Sequence, residues 1–318
     1  MVIKSKVSKL EKKVLLVDIG GTNIRTATSE IGSFVLQNAN KQNIDCLDSF
    51  DEIIKNLLHE DIDIKHIVLS IAGPKMHQSI SMTNRDFQLD ELDIFNKFEI
   101  DSCHILNDWE SIGHGLSIFD RNKMIFINEG NIFNDTALVL GPGTGLGVAQ
   151  VIGNNIVLPT EIGNSLLTIP KLFEELNLSN VEDFIVIEDL LSGGGLMKIH
   201  KNISSNEHSP EEIVASYAEN KFSQQSIHIF LTSLSQILSE LALAYMPGRG
   251  IYIAGGLMRS LHQFIDVESF MREFLVNRKS MHANVLGQMP LAIINQEMTC
   301  LYGSLNFINK LSFNLKKN

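Results

Sequence analysis

A glycine-rich turn that could bind a phosphate occurs twice in this sequence. Gly20-Gly21-Thr22-Asn23 follows the apolar run 14–19, and Gly141-Pro142-Gly143-Thr144-Gly145 follows the apolar run 136–140. Glycine lets the backbone bend with positive φ and lets amide N–H groups converge on an anion without a Cβ in the way. Two such turns facing each other across a cleft would bind a polyphosphate from two sides. Asp18, just before the first turn, is a carboxylate that could act on a metal-bound phosphate.

Each glycine turn also has a simpler interpretation as a hairpin connection, in which glycine is common. Two familiar nucleotide motifs are absent from the sequence. A dinucleotide-binding G-x-G-x-x-G is not completed, because Val148 follows Gly143-Thr144-Gly145-Leu146-Gly147. There is also no G-K-[ST] to mark a P-loop.

Polar residues follow several predicted strands, at the positions where ligands approach an open α/β sheet. Asn107-Asp108 comes directly after the apolar strand 104–106. An isolated Asn-Asp pair is more often the N-cap of a helix, here one predicted over 109–118, but its position between two candidate phosphate turns favours a functional role. Asn84, Glu161 and Glu188 also lie at predicted loop positions, each typical of a turn or a cap by itself. Together these groups would form the acceptor-rich lining that a polyhydroxyl ligand needs.

The hydrophobic pattern predicts two α/β lobes that repeat one order of elements. In the first lobe we predict a third antiparallel strand over 33–37, a helix over 49–59 and a buried strand over 66–71. The second lobe repeats this order around the second glycine turn and adds a long helix over 223–245. We therefore predict an α/β protein with a smaller lobe of residues 12–118, completed by a C-terminal helix over 305–318, and a larger lobe of residues 119–304 around a central cleft.

Composition and charge are typical of a soluble globular protein. The 318 residues are 44% hydrophobic and 20% charged. The formal net charge of −11 disfavours a general surface for nucleic acid or for an anionic membrane. Cys46, Cys103 and Cys300 are far apart with no C-x-x-C, so we expect reduced thiols rather than a zinc site or disulfides. With no signal peptide and no uninterrupted apolar run long enough for a bilayer, we expect a cytoplasmic protein.

The motifs, taken in chain order, resemble those of the bacterial glucokinase family from about residue 14 to residue 307. The motifs that carry the resemblance are Asp18-Ile19-Gly20-Gly21-Thr22-Asn23, Ala72-Gly73-Pro74, Thr83-Asn84, Leu106-Asn107-Asp108, Gly141-Pro142-Gly143-Thr144-Gly145-Leu146-Gly147, Leu191-Ser192-Gly193 and Ala254-Gly255-Gly256. The resemblance implies the hexokinase–actin–Hsp70 type of fold, which is ribonuclease H-like. It also implies ATP with Mg²⁺, phosphorylation of glucose at its 6-hydroxyl, and a homodimer.

The resemblance further implies a role for each matching residue. Asp108 would be the catalytic base, and Asp18 would orient Mg²⁺ or one of its waters. The other sugar ligands would be Asn84, Asn107, Glu161, Asn164 and Glu188. The phosphates would be held by Gly20, Gly21, Thr22, Asn23, Gly143, Thr144 and Gly145, with Gly255 and Gly256 against the nucleoside. An alanine at Gly143 or Gly145 should then weaken ATP binding more than sugar binding, because a Cβ would block the approach of the phosphate.

Three motifs depart from the family pattern. The family's E-G-G-H is Glu161-Ile162-Gly163-Asn164 here, its tryptophan after Thr83-Asn84 is Phe87, and its S-G-P-G is Ser192-Gly193-Gly194-Gly195. These changes fall on residues that shape the sugar site rather than on the reacting groups. We therefore expect an ATP-dependent hexose kinase, a glucokinase that converts ATP and D-glucose to ADP and glucose 6-phosphate. The alternatives are a kinase for another hexose or amino sugar and a non-catalytic sugar or nucleotide sensor on the same fold.

Overall fold

The computed structural model describes residues 13–20, 23–43, 47–81, 88–167, 172–173, 176, 178 and 181–315. Among the predicted site residues, Gly21, Thr22 and Asn84 lie outside the described residues, as do Phe87 and Cys46. The chain divides into two compact units. The first unit contains Met1–Ile118 and Met298–Asn318, and the second contains Phe119–Glu297. The C-terminal segment thus joins the first unit from Met298, earlier than the residue 305 at which the sequence prediction places it.

The first unit is built around a five-stranded sheet in the order β3-β2-β1-β4-β8. β1 pairs antiparallel with β2, while β4 and β8 continue the sheet in parallel with β1. A separate three-stranded sheet contains β5, β6 and β7. The elements of this unit are β1 (Lys13–Ile19), β2 (Asn23–Glu30), β3 (Gln37–Asn43), α1 (Leu47–Glu60), β4 (Ile64–Ile71), β5 (Lys75–Met76), β6 (Ser79–Ser81), β7 (Gln88–Asp90), α2 (Glu91–Phe98), β8 (Ser102–Asn107), α3 (Asp108–Gly115) and α11 (Thr299–Leu315).

Both faces of the central strand β1 are covered, which explains why its sequence is continuously apolar. Alternate residues of a strand point to opposite faces of the sheet. Leu15 and Val17 belong to a core that includes α1 and α2, whereas Val14 and Leu16 belong to a core that includes α11. The sheet of the first unit is therefore held between helices on both sides.

The parallel strands of the first unit bring their carboxyl ends to one edge of the sheet. The register pairs Asp18 of β1 with Ser70 of β4, and Ile71 of β4 with Asn107 of β8. The residues that follow these strands therefore lie along the same edge. This is the edge at which open α/β sheets bind their ligands.

The second unit contains a six-stranded sheet in the order β12-β11-β10-β13-β14-β9. One large core lies between this sheet and the helices, with α7 at its centre. The elements of this unit are β9 (Met124–Asn128), β10 (Thr136–Pro142), β11 (Leu146–Ile152), β12 (Ile156–Thr160), α4 (Ile187–Leu190), α5 (Gly193–Ser204), α6 (Pro210–Ala215), α7 (Lys221–Tyr245), β13 (Gly250–Ile253), α8 (Gly256–Leu261), α9 (Val267–Leu275), α10 (Ser280–Gln288) and β14 (Leu291–Ile294).

The two sheets share one strand order. If the strands are counted from the start of each glycine hairpin, both sheets run third, second, first, fourth, fifth, and the second sheet adds β9 next to β14. In both, the first two strands are an antiparallel hairpin and the fourth and fifth extend the first strand in parallel. The predicted repetition of one α/β order in both halves of the chain is therefore confirmed.

Helix α7 is long and apolar enough to cross a membrane by length and composition alone. It is the one such helix among the described residues, with a hydropathy of 1.4 over its most apolar window. Since 72% of that window is buried inside the protein, α7 has the environment of a core helix. Its apolar residues are accounted for by packing within the second unit.

The third strand of the first hairpin lies later in the chain than predicted. The structure has β3 at Gln37–Asn43 instead of 33–37. Residues 30–33 form a turn, in which the Ser33 N–H donates to the Glu30 carbonyl, and beyond the turn the Ser29 hydroxyl donates to the Val35 carbonyl. The strand itself is polar and almost wholly exposed, so no apolar alternation marks it in the sequence.

Candidate active site

Asp18 lies at the end of β1, almost completely buried, and forms an ion pair with Arg25. Asp18 is 5% exposed, and its Oδ2 accepts a hydrogen bond from Arg25 Nη1 at 2.7 Å. The hairpin register places these residues directly opposite each other on β1 and β2. Burial raises the pKa of Asp18 above its ordinary value, and the charge and hydrogen bond of Arg25 act in the opposite direction. The sequence prediction found Asp18 but missed Arg25.

The first glycine turn is closed by a backbone hydrogen bond. The Gly20 N–H donates to the Asn23 carbonyl at 2.9 Å, just beyond the last strand pair, Ile19 and Ile24. Gly20 and Asn23 are both partly exposed. A Cβ at Gly20 would meet only this carbonyl oxygen, at an ordinary contact distance of 3.5 Å.

Asn107 and Asp108 begin helix α3 at the carboxyl end of β8. Asn107 is the N-cap, because its Oδ1 accepts hydrogen bonds from the Trp109 and Glu110 amides at 2.9 and 3.2 Å. Its Nδ2 donates to the Gly73 carbonyl at 2.9 Å. The capping interpretation of this residue is therefore confirmed, and a ligand could use the second hydrogen of its amide. Asp108 is partly exposed, and its Oδ1 accepts the Trp109 amide hydrogen at 2.9 Å.

Cys300 lies near both carboxylates of the first unit, although it is far from them in sequence. Its Sγ is 3.9 Å from the Asp108 carbonyl oxygen, and its thiol is a hydrogen-bond donor to Asp18. Burial, followed by the charges of Asp18 and Asp108, raises the pKa of Cys300 well above its ordinary value. The thiol therefore stays protonated and can donate. Together these contacts show that Asp18 and Asp108 both lie near the Cys300 side chain.

The second glycine turn connects β10 to β11 in the second unit. The Gly143 N–H donates to the Gly145 carbonyl at 2.7 Å, and the Gly143 carbonyl accepts the Gly193 N–H at 2.8 Å. Gly143 and Thr144 are exposed, and Gly145 is partly exposed. A Cβ at Gly143 would meet nothing within 4 Å, so the space over its Cα is open.

Three predicted sugar ligands lie next to this glycine turn, and Leu146 contacts the two segments that carry them. The Leu146 N–H donates to Glu188 Oε2 at 3.2 Å. On the other side, a Cβ at Gly163 would lie 2.4 Å from the Leu146 carbonyl oxygen, so only glycine allows this approach. Gly163 belongs to the short 3₁₀ helix Ile162–Asn164, whose N-cap is Glu161. The structure thus brings Glu161, Asn164 and Glu188 to the second turn.

Glu161 and Glu188 interact electrostatically. Partial burial, and after it the Glu188 charge, raises the pKa of Glu161 above its ordinary value. The Glu161 side chain makes no capping hydrogen bond to the 3₁₀ helix, and Asn164 is exposed at the end of that helix. Two carboxylates and one amide are therefore available as acceptors and donors for hydroxyl groups.

Gly255 and Gly256 begin α8 directly after β13. β13 runs parallel to β10, so these glycines and the second turn lie at the same edge of the sheet. Gly255 has a φ of +111°, a conformation that L side chains rarely adopt, and its Cβ position is 3.4 Å from the Pro142 carbonyl oxygen. Gly256 is exposed. This edge therefore presents two turns of open backbone.

The donor set fits a magnesium ion held mainly by other ligands. Among the residues that the structure describes, no group of three or more His, Cys, Asp or Glu side chains could hold a metal. Mg²⁺ usually keeps several waters and is bound by one or two carboxylates together with substrate phosphates. The single carboxylate of Asp18 matches that pattern.

Comparison with known proteins identifies the family and the fold of this chain. The family model described as Glucokinase matches residues 15–311. The glucokinase of Erwinia tasmaniensis is 26% identical over 311 residues, which cover 93% of this chain and 96% of the relative. The crystal structure of a glucokinase from an Antarctic psychrotroph has a TM-score of 0.78 at 24% identity and covers 94% of this chain and 99% of that one.

A further solved structure has a similar fold. It is a ROK family glucokinase from Streptomyces griseus in complex with glucose and AMPPNP, with a TM-score of 0.67 at 16% identity over 92% of this chain and 98% of that one. These likenesses confirm the predicted actin-like α/β fold class. Because the family model spans most of the sequence, this chain belongs to the glucokinase family.

Proposed function

We propose that this chain transfers the γ-phosphoryl group of ATP to the 6-hydroxyl of D-glucose, with Asp108 as the base. Family membership carries the reaction class, an ATP-dependent glucose kinase. The observation that supports the assignment of the base is that Asp108 and Asp18, at the carboxyl ends of parallel strands of one sheet, both lie near Cys300. Phosphoryl transfer needs positioning, charge neutralisation and a base for the attacking hydroxyl, and these two carboxylates supply two of those functions.

In the first unit, Asp108 would accept the proton of the 6-hydroxyl as the oxygen attacks phosphorus. Its carboxylate is oriented by the Trp109 amide, and the Asn107 cap fixes the start of α3 on which it lies. Asn107 would donate the remaining hydrogen of its side-chain amide to the sugar. Asn84 is part of the same proposal, on the basis of the family resemblance alone.

In the second unit, Glu161, Asn164 and Glu188 would bind the sugar hydroxyls, and the glycine turn would bind the phosphates. A carboxylate accepts well from a hydroxyl, and an amide both donates and accepts. The backbone at Gly143 is open and exposed, as a phosphate site requires. Gly255 and Gly256 would let the backbone lie against the nucleoside.

Three finer features of the family complete the proposal. Asp18 would hold Mg²⁺ through a bound water, and the ion would neutralise the charge of the phosphates that it binds. The ion pair with Arg25 keeps the Asp18 carboxylate in a fixed orientation. The resemblance to bacterial glucokinases also implies a homodimer and a cytoplasmic location.

The test is an ADP-release assay with ATP, Mg²⁺ and a panel of hexoses and amino sugars. The wild type should release ADP fastest with glucose. Asp108→Asn keeps the shape of the side chain but loses its proton affinity, so kcat should fall by about 10²-fold or more. The matched control is Asp93→Asn, which makes the same change in the first turn of another helix, α2, at an exposed position. It should keep normal kcat and KM.

Two outcomes would contradict the proposal. A folded Asp108→Asn variant with near-normal turnover would remove Asp108 as the base. A wild type that binds sugar or nucleotide yet releases no ADP above background with any sugar would favour the sensor interpretation.

A further inference from the structure

The two glycines of the second turn differ in what surrounds them. A Cβ at Gly143 would meet nothing within 4 Å. A Cβ at Gly145 would lie 2.5 Å from Oε2 and 3.3 Å from Cδ of Glu188. Neither glycine has a φ in the left-handed region, so alanine would cause little backbone strain at either position. The difference between them is therefore one of space alone.

The Glu188 carboxylate, held by one hydrogen bond, occupies the position that a Cβ at Gly145 would take. Glu188 Oε2 accepts the N–H of Leu146, the residue next to Gly145, at 3.2 Å. A Cβ at Gly145 would overlap the same oxygen. The carboxylate would have to rotate away, and it would lose this hydrogen bond. Because the obstacle is the end of a flexible side chain, the cost would fall on the position of Glu188 rather than on the fold.

We propose that Gly145 is a positioning residue for the sugar, not only part of the phosphate turn. The absence of a side chain at Gly145 leaves the room in which the Leu146 amide holds the Glu188 carboxylate in place for a sugar hydroxyl. This inference rests on the proposed function, in which Glu188 binds the hexose. It changes the sequence-based expectation that both glycines serve the phosphates, because of the two glycines only Gly143 has open space over its Cα.

The division of roles is consistent with the rest of the turn. The Leu146 carbonyl contacts Gly163, next to Asn164, while the Leu146 amide contacts Glu188. The Gly143 carbonyl accepts a hydrogen bond from the Gly193 N–H, and no residue apart from its two chain neighbours lies within 4 Å of the position that a Cβ at Gly143 would take. The Gly145 end of the turn therefore supports the residues that bind the sugar, and the Gly143 end remains available to ATP.

The first experiment measures KM for glucose and for ATP, and the dissociation constant of glucose by calorimetry, in Gly145→Ala and Gly143→Ala. Displacing a charged hydrogen-bond acceptor should weaken glucose binding by about tenfold or more in Gly145→Ala, with KM for ATP changed less than about threefold. Gly143→Ala should show the opposite pattern. A Gly145→Ala variant that binds ATP weakly and glucose normally, or that changes neither, would overturn the proposal.

A double-mutant cycle then tests the contact itself. Glu188→Asp shortens the side chain by one methylene and withdraws the carboxylate from Gly145, at some cost in glucose affinity. In that background Gly145→Ala should have little further effect on glucose binding, because the overlap is gone. If the full effect of Gly145→Ala persists beside Asp at 188, the alanine acts by another route and the inference fails. A Gly145→Ala variant that melts at a lower temperature should likewise recover when combined with Glu188→Asp.

Failure of the proposed function would look different. If the wild type binds glucose without releasing ADP, the kinase proposal falls while the calorimetric comparison of Gly145→Ala with Gly143→Ala still decides this inference. If the wild type is an active kinase and the two glycine variants behave alike toward glucose, only this inference falls.

Discussion

Position 164 shows how one residue can change a sugar site without touching the reacting groups. Asn164 stands where the family has a histidine, and it is exposed at the end of the 3₁₀ helix Ile162–Asn164. The helix itself is anchored, since Gly163 lies against the Leu146 carbonyl and Ile162 packs against the core of the second unit. If Asn164 binds the sugar as we propose, its side chain, shorter than histidine, would leave one sugar hydroxyl to be bridged by water.

We expect Asn164→His to tighten glucose binding. The imidazole reaches further than the carboxamide, and one hydrogen bond to a buried hydroxyl contributes about 0.5–1.5 kcal/mol, or roughly a threefold to tenfold fall in KM. Turnover should change little. The measurement is KM for glucose, mannose and 2-deoxyglucose in wild type and variant. Asn122→His, at an exposed asparagine in another 3₁₀ helix, is the control. A wild type with a low KM for glucose and no activity on mannose or 2-deoxyglucose would contradict the argument.

Some residues of the candidate site could be predicted from the sequence because each lies at the end of an apolar run. Asp18 and Asp108 are examples. Arg25 could also have been found, since a four-residue turn that pairs Ile19 with Ile24 must place Arg25 opposite Asp18. Cys300 could not, because it approaches Asp108 across 192 positions with no local pattern. The hydrogen bond from the Leu146 amide to Glu188 could not be predicted either, because every residue except proline has a backbone amide and none marks such a contact in the sequence.

At the scale of elements, the active edge of the first unit depends on the packing of α3 against α11. The Ser111 hydroxyl donates to the Cys300 carbonyl at 2.8 Å and lies 2.7 Å from the Ser304 hydroxyl. A Cβ at Gly303 would lie 1.7 Å from the Ser111 carbonyl oxygen. The two helices therefore touch backbone to backbone. This contact holds Asp108, at the start of α3, near Cys300, at the start of α11.

Gly303→Ala should force these helices apart. Overpacking of this kind costs about 1–3 kcal/mol, and we expect the upper end because backbone atoms must move. Since α3 carries Asp108, kcat should fall as well. Urea unfolding and ADP release would measure both effects. Gly287→Ala in α10 is the matched control, because its Cβ would meet nothing within 4 Å, and it should be neutral or gain up to about 1 kcal/mol. Equal stability of the two variants would show that α11 can shift freely.

Strands and helices that bury apolar residues could be predicted from the sequence, and exposed polar elements could not. The buried strands β1, β4 and β10 and the helix α7 follow clear hydrophobic patterns, and the structure contains all of them. β3 is an exposed strand of mostly Asn, Gln and Lys, so only its pairing with β2 defines it. Short strands such as β5, with two residues, carry too little pattern to detect.

At the scale of the whole molecule, pH changes the folding stability through buried titratable groups as well as through the net charge of −11. His114 of α3 is buried, its Nδ1 has no hydrogen-bond partner, and its ring lies 5.1 Å from that of Phe307. Burial, with smaller contributions from Lys310 and Lys75, lowers the pKa of His114 from 6.5 to about 4. Between pH 6.5 and pH 4, His114 therefore binds a proton in the unfolded chain but stays largely neutral in the folded protein.

The sign of the resulting pH dependence follows from linkage. Above pH 6.5 His114 is neutral in both states, and its contribution to stability is complete. As the pH falls from 6.5 toward 4, the unfolded chain gains a proton that the folded protein does not, so stability falls by about 1.4 kcal/mol per pH unit. Between pH 6.5 and pH 5 the loss amounts to about 2 kcal/mol.

His114→Leu should remove this part of the acid sensitivity, because leucine is apolar, similar in size and cannot bind a proton. The free energy of unfolding, measured in urea at pH 7 and pH 5, should fall less in the variant than in the wild type, by about 2 kcal/mol. His282→Leu makes the same substitution at an exposed position of α10 and should leave the difference between the two pH values as it is in the wild type. If His114→Leu loses as much stability at pH 5 as the wild type does, the proton that destabilises the molecule binds elsewhere, and the buried carboxyl groups become the next to test.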